Sequence, residues 1–299
     1  MDKLTMMITA RKLFRDTVDL PTIPAIVSKV VSMLDDPQAN PDEIADLMLS
    51  DVVLTAKVLK VVNSPLYRTT NSINSVKRAL IFLGFKCVRE MILTSYFVDG
   101  FKDREQPFNM KAFWTHSFSV GAISRFIARK VKYPDMEKAY LVGIVHDIGK
   151  VFLGHYCKDE YGRMLQSIEN TSNTTYDAEY EFFGTTHCEV GLCLAQRWNF
   201  PSVYSDVISY HHSSKLATED PFLTAIITLA DFYCSSHVTA ESVAQASIPG
   251  DSEENAWDIL TEHAPVDIAP SMEHFLTELD EAYEEVSQEV AVIFNTMAV

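Results

Sequence analysis

The chain has 299 residues, 47% of them hydrophobic and 22% charged, a composition that predicts a globular protein with two lobes or one core and an extension. The net charge of −16 is unevenly placed: all 25 Lys and Arg lie in residues 1–215, while residues 216–299 hold 17 of the 41 Asp and Glu. The acidic end lacks the clustered cations that nucleic-acid phosphates demand, and no apolar run approaches the roughly 18 residues that cross a membrane.

Five cysteines, odd in number and without a C-x-x-C pair, argue for reduced thiols in a cytoplasm, against both a disulfide framework and a zinc finger. The N-terminus, Met-Asp-Lys-Leu-Thr-Met-Met, carries no basic region followed by an apolar core, so no signal peptide is expected. The acidic stretch reads as a solvated face or as a docking surface for a basic partner.

Almost every segment predicts helix. Leu20-Pro21-Thr22-Ile23-Pro24 is a rigid lead-in to a helix with Val27, Val30, Val31 and Leu34 at helical spacing. Pro41-Asp42-Glu43 opens a second, with acids in its first turn where they favour the dipole. Ser50-Asp51 caps a third, carrying Leu54, Val58, Leu59 and Val62 and ended by Asn63-Ser64-Pro65. A fourth with Ile73, Val76, Ala79, Leu80 and Leu83 closes at Gly84, and Val88–Phe97 continues the pattern. This predicts an N-terminal bundle of about five short helices, residues 1–104.

A charged linker precedes a long helix over about 110–132. Tyr133-Pro134-Asp135 separates it from a helix holding Leu141 to Leu153, residues 155–184 read as mixed, and helices are predicted over 187–198, 203–212 and 222–237. These make a second lobe, 105–238. Residues 239–299 read as an acidic helical extension, its last helix striped by Phe275, Leu279, Tyr283, Val286, Val290, Ile293 and Met297. That stripe suits packing on the same protein better than on a partner.

Within Leu141–Leu153, His146, Asp147 and Lys150 interrupt an apolar run. A buried carboxylate requires a cation, a metal or several donors, and on one helix the three side chains share a face. A core histidine beside an Asp–Lys pair is the plain alternative. Asp231, the only charge between Asp220 and Glu241, poses the same problem. With His116, His187 and the His211-His212 pair, the ordered set contains five imidazoles and two carboxylates and no thiolate. Such a set suits one or two divalent ions such as Fe, Mn or Zn, and does not suit a structural zinc knot. His155, nine residues after His146, should face away.

The order of a first His, a His-Asp doublet and a distal Asp resembles the HD superfamily of metal-dependent phosphohydrolases. The N-terminal lobe is similar to the HDOD domain of bacterial signalling proteins, through Leu20-Pro21-x-x-Pro24, Ser50-Asp51-x-x-Leu54-Thr55-x-Lys57-Val58-Leu59, Val62-Asn63-Ser64-Pro65 and Ala79-Leu80-x-x-Leu83-Gly84. Phe113-Trp114-x-x-Ser117, Gly143 to Gly149 and His187-x-x-x-Gly191-x-x-Leu194-x-x-x-Trp198-x-x-Pro201 extend the likeness over about residues 13–238.

The resemblance implies an all-α fold and a signalling module that binds a protein partner. HDOD members commonly lack part of the ligand set, yet here His116, His146, Asp147, Lys150, His187, His211, His212 and Asp231 all match the HD-GYP phosphodiesterases. If active, such a site would hydrolyse a phosphate-containing ligand, with Asp147 and Lys150 as catalytic residues and Lys150 on a phosphate oxygen. Two departures speak against a cyclic dinucleotide substrate: Ser213-Ser214-Lys215 replaces a Gly-Tyr-Pro segment, and Ala112 stands where an acidic ligand would precede the first His.

Overall fold

The structure, a computed structural model, describes residues 7, 9–13, 24–63, 73–101, 105–169, 171, 173–237, 252–265, 268, 271–280 and 283. The described residues are helical and contain no strand. The fold is all-α, as the periodicity predicts. Two compact units form: the described residues of Pro21–Asp103 make one, and those of Arg104–Ser287 together with those of Met1–Leu20 make the other.

In the first unit, α1 (Ala25–Leu34) buries Val27, Val30, Val31 and Leu34, the predicted stripe. Next, α2 (Pro41–Leu49) starts where the Asn40 side chain accepts from the Asp42 N–H, with Pro41 at its first position. The Asp51 carboxylate accepts from the Leu54 N–H at 3.0 Å and so caps α3 (Val52–Val62). Asn63 then ties two distant stretches together, its side chain exchanging hydrogen bonds with the N–H and C=O of Ile73, each at 2.7 Å. The last element, α4 (Val76–Phe101), packs on the other three. At Gly84, φ 81 and ψ 160 leave helical space inside α4, the break expected there.

The second unit begins with α5 (Met110–Lys130), capped by Asn109, and α6 (Met136–Val145), capped by Asp135. The segment Leu141–Leu153 is not one helix. It ends at Val145, turns at His146 and Asp147, and resumes as α7 (Ile148–Tyr156). Residues read as mixed form two helices, α8 (Lys158–Ile168) and α9 (Thr175–Phe183). Tyr161, Met164 and Ile168 give α8 a helical stripe that its dense charges mask.

The unit continues with α10 (His187–Arg197), α11 (Ser202–Tyr210), α12 (Pro221–His237) and α13 (Ser252–His263), with one turn of 3-10 helix at Ser214–Leu216. The core packs α5 against α6 and α12, α10 against α7 and α11, and α13 against α12.

Of the predicted C-terminal stripe, Phe275 and Leu279 are buried in helical residues 272–280, and Val286 to Met297 lie outside the described residues. The Phe275 ring meets Trp257 of α13, Asp280 accepts from the Tyr233 hydroxyl of α12 at 2.8 Å, and Glu278 pairs with Lys130 of α5. This part of the acidic extension thus packs on its own chain. No helix among the described residues is long and apolar enough to cross a membrane.

Candidate metal centre

The corner between α6 and α7 carries His146 and Asp147. Three other element ends meet it: the first turns of α5, the start of α10 and the α11 terminus, with α12 alongside. A Cβ on Gly149 would fall 1.9 Å from the His187 carbonyl oxygen, so only glycine lets α7 lie this close to α10. That approach brings His187 up to Asp147.

All seven predicted ligands come together. His116, His146, Asp147, His187, His211, His212 and Asp231 are each at most 6% exposed. One group comprises His116, His146 and Asp231: the Asp231 Oδ1 lies 3.0 Å from His116 Nε2 and 3.6 Å from His146 Nε2. A second surrounds His187, whose Nε2 is 3.3 Å from His211 Nε2 and 3.1 Å from His212 Nε2. Asp147 stands between them. Its Oδ2 is 3.4 Å from His146 Nε2 and 4.0 Å from His116 Nε2, while its Oδ1 is 3.2 Å from His187 Nε2 and 3.5 Å from His211 Nε2. Lys150 donates to Asp147 Oδ2 at 2.6 Å, the pairing its spacing predicts. His155 sits instead near the Glu105 carbonyl, outside the centre.

The far sides of the rings fix their tautomers. His146 Nδ1 donates to the Gly143 carbonyl at 2.7 Å and His211 Nδ1 to the Ile208 carbonyl at 3.0 Å; a carbonyl can only accept, so these nitrogens carry the proton. His187 Nδ1 donates to the Glu179 carboxylate at 2.6 Å. The Nε2 lone pairs are thereby turned toward one another and toward Asp147. His116 Nε2, His146 Nε2 and Asp147 Oδ1 are buried without a hydrogen bond. Converging lone pairs of this kind repel unless a cation lies among them, and imidazole with carboxylate is a divalent-metal donor set.

Electrostatics separate the groups. Burial alone would lower the His146 imidazolium, but Asp147 and Asp231 outweigh it and push its pKa up to about 10. For His187, burial and the Lys150 charge hold the pKa well below the usual range, and burial with the neighbouring His211 does so for His212. Asp147 resists the upward push of burial because Lys150 and His146 hold it far below the carboxylate range.

Two residues at the centre escaped the reading of the sequence. Glu179 of α9 is fully buried, accepting from the His187 N–H at 2.7 Å and the Tyr161 hydroxyl at 2.8 Å, with its pKa raised to about 8 by burial. It lies in an acidic run, Asp177 to Glu181, where nothing local distinguishes it. Cys188 falls in one group with His187, His211 and His212, all within 4.8 Å of one another, against the expectation of a set without sulfur. Its adjacency to His187 was the available signal. Backbone supports complete the site, with Thr228 donating to the His211 carbonyl and Ser252 to the His212 carbonyl, each at 2.7 Å.

The sequence profile of the HDOD domain matches residues 20–214. The chain belongs to the HDOD family. A crystal structure of an HDOD domain protein of unknown function from Geobacter sulfurreducens is 33% identical and superimposes with a TM-score of 0.78, covering 97% of this chain and 98% of that one. A candidate phosphohydrolase from Shewanella amazonensis SB2B shares the fold at 18% identity, with a TM-score of 0.69 and 97% of each chain covered. An uncharacterized Treponema pallidum (strain Nichols) protein is 23% identical over 210 residues. That match takes in 68% of this chain and 39% of the curated relative's length.

Proposed function

We propose that this HDOD chain is a cytoplasmic signalling module that engages a protein partner and retains an HD-type metal centre serving structure or sensing. The observation that carries the reading is the enclosed convergence of six donor residues around Asp147, all seven side chains at most 6% exposed. A hydrolytic centre keeps a coordination position open to substrate, whereas a structural one is closed. His116, His146 and Asp231 would hold one ion and His187, His211 and His212 a second, with Asp147 facing both. Iron, manganese and zinc all suit these donors.

The position of Lys150, a buried cation beside the shared carboxylate, favours a second reading as a metal-dependent phosphohydrolase. When bound, the ions would supply Lewis acidity toward a phosphate. Asp147 would orient the donors, Glu179 would fix the His187 tautomer, and Lys150 would move from Asp147 to a phosphate oxygen.

Metal analysis of the purified protein tests the centre: bound Fe, Mn or Zn is expected, and its absence together with an unchanged fold in Asp147→Ala would refute it. A screen of Mn- or Fe-loaded protein against phosphomonoesters and nucleotides divides the two readings. Turnover that disappears in Asp147→Ala would reject the structural one.

A further inference from the structure

Cys188 occupies the first turn of α10, directly after His187, and is buried at 1% exposure. A buried thiol ordinarily acts as a small apolar side chain. Here, however, its neighbours are ligand atoms of His187, His211 and His212, all four within 4.8 Å of one another. Cys193 and Cys234, also buried, belong to no such group among the described residues.

The spacing suits a small tetrahedral ion. Metal–nitrogen bonds of about 2.0 Å make a tetrahedral edge of about 3.3 Å. The Nε2 atom of His187 already lies 3.3 Å from that of His211 and 3.1 Å from that of His212.

We infer that Cys188 is a metal ligand, and that the group of His187, Cys188, His211 and His212 takes a thiophilic divalent cation, zinc or cobalt in preference to manganese. As the sulfur–metal bond forms, the thiol proton leaves to solvent and no electron changes hands. The group of His116, His146 and Asp231, which contains no sulfur, carries no such preference. This assignment rests on the metal-centre reading and specifies the chemistry of one half of it.

Cobalt spectroscopy on the full chain tests both at separate points. The protein is stripped with a chelator, loaded with Co²⁺ and followed by absorption. A thiolate-to-cobalt charge-transfer band in the near ultraviolet is expected, lost in Cys188→Ser and kept in Cys193→Ser. Zinc affinity should fall at least about tenfold in Cys188→Ser while manganese uptake is unchanged. Cobalt bound without the band would overturn the sulfur assignment and leave the metal centre standing. Failure to bind cobalt at all would overturn both. Cys188→Ala provides a second variant should the serine hydroxyl itself bind the metal.

Discussion

The two donor groups flanking Asp147 solve the same packing problem by different means. Around His116, His146 and Asp231, the Asp147 and Asp231 carboxylates face His146, and a proton on its ring can stand in for a cation, as its pKa near 10 indicates. Around His187, Cys188, His211 and His212 that substitution is blocked, because burial and neighbouring positive charge hold the His187 and His212 imidazoles neutral. The second group therefore depends on the residues behind its donors. The first is stabilised by charge within the group and the second by the hydrogen bonds that surround it.

The largest effect should come from removing what the groups share. Asp147→Ala takes one carboxylate oxygen from each and leaves Lys150 buried without the partner it meets at 2.6 Å. Breaking a buried pair by removing one member costs about 3–5 kcal/mol. Urea denaturation should show a loss on that scale, and metal content should fall in both groups. Unchanged stability with full metal content would mean that Asp147 does not join them.

Glu179→Gln separates the groups. It replaces the carboxylate that accepts from His187 Nδ1 with an amide and leaves the His116, His146 and Asp231 side chains untouched. Loss of such a supporting carboxylate weakens metal binding by about 10–100-fold. Isothermal titration should show one class of zinc site weakened and the other unchanged, and equal weakening of both would contradict the division.

The contrast also explains what the sequence could reveal. His146, Asp147, Lys150 and Asp231 were legible because a charge inside an apolar run must be neutralised, and apolar runs are visible in one dimension. The helices were legible wherever period and end signals agreed, as at Pro41, Asp51 and Gly84. Glu179 was not legible, since a carboxylate in a charged run looks solvated until α9 folds it beneath α10. The break at His146-Asp147 was hidden for another reason: Leu141–Leu153 has no proline, and the turn arises from tertiary packing, with α7 drawn onto α10 at Gly149. The partner of Ser252 was equally hidden, lying 40 residues away in sequence.

The different charge states predict a pH signature in the metal-free protein. His146 has its folded pKa raised from 6.5 to about 10, so its stabilising contribution is complete below 6.5 and is lost as pH rises toward 10. Glu179, raised from 4.5 to about 8, loses stability in the same direction across its own window. His187 and His212, depressed below 6.5, are neutral in both folded and unfolded states above that value and contribute no slope there. The Tm of metal-free protein should therefore fall from pH 6.5 to pH 8. Loading with zinc should flatten the slope, because the ion replaces the proton on His146. A metal-free Tm that rises over this interval would contradict the assigned charge on His146.

The smallest expected effect lies at Ser252, the first residue of α13, whose hydroxyl donates to the His212 carbonyl at 2.7 Å. Thr228 does the same for His211 from α12. If the second group relies on its surroundings, Ser252→Ala leaves a buried carbonyl without its donor and should cost about 1 kcal/mol. The loss should be accompanied by weaker zinc binding in that group alone. Chemical denaturation and zinc titration of the same variant, each compared with Ser236→Ala on the more exposed end of α12, measure the two parts. A stability loss with unchanged zinc affinity would make Ser252 a fastener for α13 and nothing more. Loss of both would tie the acidic C-terminal segment to the metal centre through a single hydroxyl, so that any partner lifting α13 would loosen His212.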